Sequence, residues 1–329
     1  MRDRWTDWMQ RQWQHGDLWQ VVLLPLSWLF RLLTACRRQA YAWGILKSYR
    51  LSVPVVVVGN LSVGGTGKTP LVIWLVQRLR QEGLRPGVVS RGYGRMQAGV
   101  CAVDASSTAA EVGDEPLLIH RRGQCPVWVG SDRVAACRAL LATYPECEVI
   151  VSDDGLQHYR MQRDVELVVV DAERRFGNGR LFPAGPLREP IRRLKRVDAL
   201  IYNGGTADCD GYAMRLCPGP IINLSDGRVL ADLGVWRGRK IHAVAGIGNP
   251  QRFFRQLEEL GLTIETHVFP DHHAYEAADL AFADDAPLLM TEKDAVKCAG
   301  FAGPDWWYLP VEAEIDAALA AEVVRKLGK

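Results

Sequence analysis

Short apolar runs recur along the chain at 55–58, 85–90, 127–130, 149–153, 165–170 and 198–202. The first, VVVV, is β-branched and continuous, as a strand buried on both faces of a sheet must be. Behind it, residues 68–81 carry apolar positions at helical period. Strand and helix alternate in this way up to residue 204, which predicts an α/β unit over 51–204. Residues 205–239 are Gly-rich and irregular, and predict a linker. A second, smaller α/β unit is expected over 240–329. It opens with a strand at 241–245, a tight turn at Gly246-Ile247-Gly248, Asn249 as cap, Pro250 in the first helical turn, and strands at 263–269 and 287–290.

The first 50 residues follow a different pattern. Trp5, Trp8, Met9 and Trp13 fall on one face of a helix, Gly16 ends it, and Asp17 is placed to cap the next. Residues 18–33 are then almost wholly apolar, and a helix of that length reaches ~24 Å, short of a ~30 Å hydrocarbon core. Tryptophans at its ends, with Arg31, Arg37 and Arg38, have the character of interfacial anchors facing anionic lipid. A membrane-associated helix, a buried core helix and a partner-binding helix all suit the apolar run; only the first makes use of those flanks. No small-residue cleavage site follows, so it is not a removable signal.

Composition sharpens this division. At 329 residues and 48% apolar, the chain has room for two cores. Its net charge of +2 conceals an asymmetry: residues 1–50 hold eight Lys or Arg against three Asp or Glu, leaving +5 there and −3 in the remainder. Six of the eleven Trp lie in the same segment. Eight Cys without a C-x-x-C pair argue against a zinc knuckle or disulfide framework and suit a reducing cytoplasm. No nucleic-acid partner is expected, and no protein partner is evident.

The chemistry concentrates after the first strand. Gly59 to Gly67 is a Gly-rich turn, and Lys68-Thr69 head the helix that follows. Backbone N–H groups turned inward by glycines, with a helix N-terminus behind them, make a cradle for a polyphosphate. Ser62, Val63, Gly64, Gly65, Thr66, Gly67, Lys68 and Thr69 are therefore the expected nucleotide residues, with Lys68 on the β- and γ-phosphates and Thr69 on Mg²⁺. Ser62 occupies a position where the common pattern G-x-x-x-x-G-K-[ST] has Gly. The strand at 149–153 ends in Asp153-Asp154, carboxylates suited to a hard cation beside phosphates. The predicted fold is thus a P-loop NTPase-like α/β/α domain with a smaller second α/β domain and an N-terminal membrane-associated helix.

Further residues could serve such a site. Arg91, Tyr93 and Arg95 sit in a loop at a strand's carboxyl end, where open α/β sheets bind ligands, and with Arg133 they form an expected arm for an anionic substrate. Asp114 and Glu115 precede Pro116 at a helix start, which is also ordinary dipole-favoured capping; Glu115 joins Thr69, Asp153 and Asp154 in the expected metal set. The loop 177–190 is too long for a simple connection, and its Arg188 and Glu189 are candidates for phosphate or ribose contacts. Thr291-Glu292-Lys293-Asp294 fails the spacing of a guanine-reading N/T-K-x-D. A nucleotide-gated ATPase switch with the signature K-G-G-x-G-K-[ST] is the competing class, and Val63 stands where its lysine belongs.

GNLSVGGTGKTP, SRGYGR, GDEP, DDGLQH, FPAGPLRE, GIGNPQRFF, FPDHH and TEKDAVK occur in this order over residues 18–297. Together they resemble the tetraacyldisaccharide 4′-kinases of lipid A biosynthesis. The resemblance implies ATP- and Mg²⁺-dependent phosphorylation of the 4′-hydroxyl of a lipid-linked glucosamine disaccharide 1-phosphate, at the cytoplasmic face of the inner membrane. It implies a peripheral or monotopic N-terminal helix, and it makes Ser62 an ordinary occupant of its position. It also implies that Asp114 is the base, paired with His272 of FPDHH (His273 being the neighbouring ambiguity), and that domain closure completes the site.

Overall fold

The computed structural model describes Trp13, residues 18–205 and residues 211–328. The expected helix face of Trp5, Trp8 and Met9, with Gly16 and Asp17, lies outside these residues.

The first element, α1 (Leu18–Ala42), runs nine residues beyond the apolar stretch. Residues 34–42 contain no breaker, and the chain turns only at Gly44, whose φ is +74°. At 1.5 Å per residue its 25 residues span ~37 Å, so the expectation of a helix too short for a bilayer is corrected. One side of α1 packs on the protein: Gln20 and Ser27 are buried, Ser27 Oγ donates to Leu181 O at 2.8 Å, and Phe30 meets Phe182 edge-on at 5.8 Å. Its other side leaves Val22, Leu26, Leu29 and Leu33 more than half exposed.

The cradle strand β1 (Val55–Gly59) leads into α2 (Lys68–Gln81). There follow β2 (Pro86–Ser90), β3 (Cys101–Val103), the short α3 (Ala109–Val112), α4 (Asp114–Gly123), β4 (Val127–Val129), α5 (Arg133–Thr143), β5 (Val149–Asp153), β6 (Val165–Asp171) and β7 (Ala199–Asn203). These strands lie in one sheet, with β1 between β5 and β6 and Val58 in register with Asp153. The register sets the phosphate loop and the acidic strand end side by side. Val55, Val56, Val57 and Val58 are all essentially inaccessible, as an unbroken apolar run requires.

The expected linker is not one. Within it, β8 (Tyr212–Pro218) pairs parallel to β7 and extends the large sheet, while β9 (Ile222–Asn223) belongs to the small one. The small sheet is completed by β10 (Lys240–Ala245), β11 (Thr263–Val268), β12 (Leu288–Thr291) and β13 (Trp306–Leu309), with α6 (Pro250–Glu259) and α7 (Glu292–Cys298). The chain then returns: β14 (Val311–Ile315) pairs antiparallel with β8, and α8 (Ala318–Lys326) buries Leu319, Ala320 and Val323 in the core of the large sheet. A second domain running to residue 329 is therefore also corrected. The physical reason lies in β8 and β14. β14 is the outermost strand and β8 its neighbour, and both have mixed burial, so they lack the continuous apolar run that marks the central strands.

The two sheets meet at the phosphate loop. A Cβ on Gly248 would stand 2.6 Å from Gly65 N, so only glycine lets the turn after β10 approach this closely. Pro250 opens α6 as expected, but the Asn249 side chain makes no cap hydrogen bond.

Candidate active site

The phosphate loop is braced from below by two asparagines. Asn60 Nδ2 donates to Ser62 O at 2.8 Å and to Thr66 Oγ1 at 3.1 Å, and Asn203 Nδ2 donates to Thr66 O at 2.9 Å. Gly67 is left-handed (φ 94°) at the start of α2, and a Cβ there would stand 2.4 Å from Asn203 Nδ2. Ser62 is not among the residues with left-handed backbone, which explains why a side chain is tolerated where the common pattern has glycine. Its neighbour Val63 donates its N–H to Pro186 O at 2.8 Å, tying the loop to the 177–190 segment.

Lys68 Nζ lies 3.6 Å from Asp154 Oδ1, and Arg188 Nη1 donates to both Asp154 oxygens at 3.1 and 3.2 Å. Asp154 is half-buried in left-handed backbone (φ 46°), a strained position for an L-residue directly after β5. Burial opposes its ionisation, but Lys68 and Arg188 outweigh burial and lower its pKa to about 2. Asp153 is the opposite case. It is fully buried, Oδ2 accepts from Ser90 Oγ at 2.9 Å, and Oδ1 has no hydrogen-bond partner. Burial, with Glu115 and Asp154 nearby, raises its pKa to about 7 against the pull of Lys68. A buried carboxylate with an orphan oxygen among other acids is short of positive charge. Hard oxygen donors at the end of β5, with Thr69 in the first turn of α2, therefore fit a magnesium ion.

Across the site, Asp114 is the first residue of α4 and is 5% exposed. Its Oδ2 lies 2.9 Å and its Oδ1 3.1 Å from His272 Nδ1. His272 is itself left-handed (φ 63°), and its ring packs on Tyr93 with centroids 4.9 Å apart. His273 turns away to Asp279 at 3.0 Å, so His272 is the histidine that meets Asp114. Burial opposes ionisation of Asp114, but Lys293 and then the His272 hydrogen bond overcome it and lower its pKa to about 2. Burial likewise works against the charged form of His272, and the Asp114 bond reverses the balance and raises its pKa.

Sequence reasoning missed Lys293. From the first turn of α7, its Nζ lies 3.1 Å from Glu115 Oε1, 3.1 Å from Asp271 Oδ1 and 3.8 Å from Asp114 Oδ2. The failed guanine-binding spacing of TEKD hides a different signal. It is a lysine at the carboxyl end of a parallel strand, aimed at the same edge as the phosphate loop.

A cavity of about 940 Å³ gathers most of these groups. Val63, Gly64, Gly65, Lys68, Arg91, Tyr93, Glu115, Asp153, Asp154, Arg188, Glu189 and His272 line it. Phe30, Thr34, Arg37 and Arg38 of α1 line it too, so the N-terminal helix forms a wall of the site. Arg38, expected to face lipid, lies 3.9 Å from Glu189. Glu189 is buried, taking Tyr159 Oη at 2.5 Å and Gln157 Nε2 at 3.2 Å; its carboxylate organises the wall.

Two expected substrate residues are placed elsewhere. Arg133 is buried at the head of α5, with Nη1 on Gly130 O at 2.8 Å and Nη2 on Asp153 O at 3.4 Å. It braces the end of β5 from behind, because the β4–α5 turn directs it inward. Arg95 folds back on its own loop, bonding Gly99 O and Cys101 Sγ, and does not line the cavity.

Comparison with known proteins agrees with this geometry. The family model described as tetraacyldisaccharide-1-P 4′-kinase matches residues 19–328. A tetraacyldisaccharide 4′-kinase of Methylobacillus flagellatus is 54% identical over 329 residues, covering 100% of this chain and 98% of that protein. One from Dechloromonas aromatica is 52% identical, covering 97% of each. One from Pseudomonas aeruginosa is 51% identical, covering 94% of this chain and 93% of its own length. Among solved structures, LpxK of Aquifex aeolicus, in complex with ATP, superposes with a TM-score of 0.79 at 29% identity, covering 94% of this chain and 100% of that one. The chain belongs to the tetraacyldisaccharide-1-P 4′-kinase family.

Proposed function

We propose that the protein transfers the γ-phosphate of ATP to the 4′-hydroxyl of a tetraacylated glucosamine disaccharide 1-phosphate. One observation carries this beyond nucleotide binding: His272 lines the same cavity as Lys68 of the phosphate loop, and its Nδ1 holds the buried Asp114 carboxylate at 2.9 Å directly behind it. Residues 62–69 cradle the polyphosphate, and Lys68 takes charge developing on the γ-phosphate. Thr69, Glu115, Asp153 and Asp154 would hold Mg²⁺, which supplies neutralisation of the β- and γ-oxygens when bound. Asp114 accepts the hydroxyl proton as the oxygen attacks phosphorus and the bond to ADP breaks; His272 holds the carboxylate in line. Because Asp114 lies on the large sheet's side and His272 on the small sheet's, their approach depends on how the two sheets close around the substrates. Arg91 and Tyr93, with Arg188 beside Asp154, offer the anion contacts.

The bare apolar side of α1 supports residence on the cytoplasmic face of the inner membrane, with the helix lying in the interface. Its other side is docked on the protein and walls the cavity, which suits a monotopic arrangement in which acyl chains enter from the membrane while the sugar reaches the phosphate loop. The test is transfer from γ-labelled ATP to tetraacyldisaccharide 1-phosphate in detergent micelles. Label is expected in the lipid; hydrolysis releasing free phosphate with an unlabelled lipid would instead support a nucleotide-gated switch.

A further inference from the structure

Away from the cavity, two imidazoles face each other on neighbouring strands of the small sheet. His242 of β10 and His267 of β11 approach to 2.9 Å between Nδ1 and Nε2. Glu265 Oε2, two residues before His267, lies 3.8 Å from the same His242 Nδ1. All three donor atoms fall within 4.8 Å of one another. We propose that His242, His267 and Glu265 form a binding site for a divalent transition-metal ion of the zinc class.

The spacing suits such an ion. A tetrahedral zinc with bonds of about 2.0–2.1 Å separates its ligand atoms by roughly 3.3 Å, between the two distances observed. The donor chemistry suits it as well. Two neutral imidazoles and one carboxylate favour a borderline cation over magnesium, which prefers oxygen alone.

The surroundings orient the ligands as metal sites do. Asp284 Oδ1 lies 2.6 Å from His242 Nε2, and accepting that N–H places the ring's lone pair on Nδ1, toward His267 and Glu265. Phe282 lies against both rings, 4.0 Å from His242 and 4.2 Å from His267 between centroids, fixing their planes under an apolar cover. Without an ion, His267 Nε2–H donates to His242 Nδ1. On binding, His267 carries its proton on Nδ1 instead, and no proton leaves the pair. Glu265 is exposed, leaving an approach for the ion and a fourth position for water. Lys240 competes: its Nζ lies 2.8 Å from Glu265 Oε2 and 2.6 Å from Asp284 Oδ2. Both carboxylates are thus already engaged by a cation that a metal must partly replace.

The full chain would be titrated with Co²⁺, following the visible absorption that marks tetrahedral coordination, and the bound ion displaced with Zn²⁺. One equivalent is expected. Glu265→Gln, at an exposed position that does not threaten folding, and His267→Ala should each abolish the band. Asp284→Asn should weaken binding roughly 10–100-fold, as loss of an orienting carboxylate does at comparable sites. Lys240→Met should tighten it, and His273→Ala should leave it unchanged. A wild-type chain without the band, or a band that survives Glu265→Gln and His267→Ala, overturns the assignment.

Discussion

Lys293→Met removes the positive charge at the centre of the three carboxylates Asp114, Glu115 and Asp271 without removing much volume. In the wild type Asp114 is held down from 3.8 to about 2, with Lys293 the largest attraction working against burial. With only His272 and the weaker pull of Lys297 left to oppose burial, the folded pKa of Asp114 should rise back toward its ordinary value, about 2.5 kcal/mol of lost preference for the ionised form. The sign follows from linkage. A depressed carboxylate contributes stability that is present above its unfolded pKa and is lost as pH falls through the folded value. Wild type therefore carries this contribution at pH 7 and loses it between pH 4 and 2, whereas the variant never has it. Leaving the buried Asp114 carboxylate without its cation adds to the deficit, so the whole cost at pH 7 is on the order of 3–5 kcal/mol. Urea unfolding of both proteins at pH 7 and pH 3.5 reads the difference. It should be largest at pH 7 and shrink toward acid. A pH-independent difference below about 1 kcal/mol would refute the role of Lys293 as the cation that keeps Asp114 ionised.

Asp153 makes the reverse prediction. Its folded pKa is raised to about 7, so the ion-free protein should lose stability as pH rises from 4 to 7, and added Mg²⁺ should raise Tm more at pH 8 than at pH 6; an equal rise at both removes Asp153 from the metal set. Arg133→Met should lower stability by at least about 1 kcal/mol, since it strips the carbonyls of Gly130 and Asp153 of their partner, while lipid KM stays unchanged; a raised lipid KM in a stably folded variant would restore its expected place on the substrate. Leu29→Asp with Leu33→Asp, both on the bare side of α1, should abolish sedimentation with anionic liposomes at unchanged Tm. Retained sedimentation would argue against an interfacial helix. The double substitution is a cleaner probe than truncation after Tyr49, because Phe30 packs against the large-sheet core.

The residues that sequence reasoning found are those whose chemistry is written locally. The phosphate loop is one contiguous turn between a buried strand and a helix, and Asp153-Asp154 end a second such strand. Asp114 alone is indistinguishable from a capping acid; its partner lies 158 residues away, and resemblance to a known family supplied the pairing. Lys293 and Arg133 escape a reading by sequence because a cation's role depends on which way the turn beneath it points, and no spacing records that. The outermost strand β14 and its neighbour β8 are hidden for a similar reason. Each pairs across a long separation with mixed burial, and the return of the chain to the large sheet is visible only once the two are side by side. The length of α1 is underestimated when apolar content is taken to end the helix, whereas the absence of a breaker before Gly44 carries it on.

Asp114, positioned by His272, is the group that takes the proton from the acceptor hydroxyl in the proposed reaction. The most direct test of that role sets turnover against ATP affinity in Asp114→Asn, which keeps shape and hydrogen-bonding capacity but cannot act as base. Lipid phosphorylation is expected to fall by about 10²–10⁴-fold, the usual worth of general base catalysis, with the ATP dissociation constant unchanged within about twofold. Wild-type turnover in that variant would contradict the role of Asp114 as base.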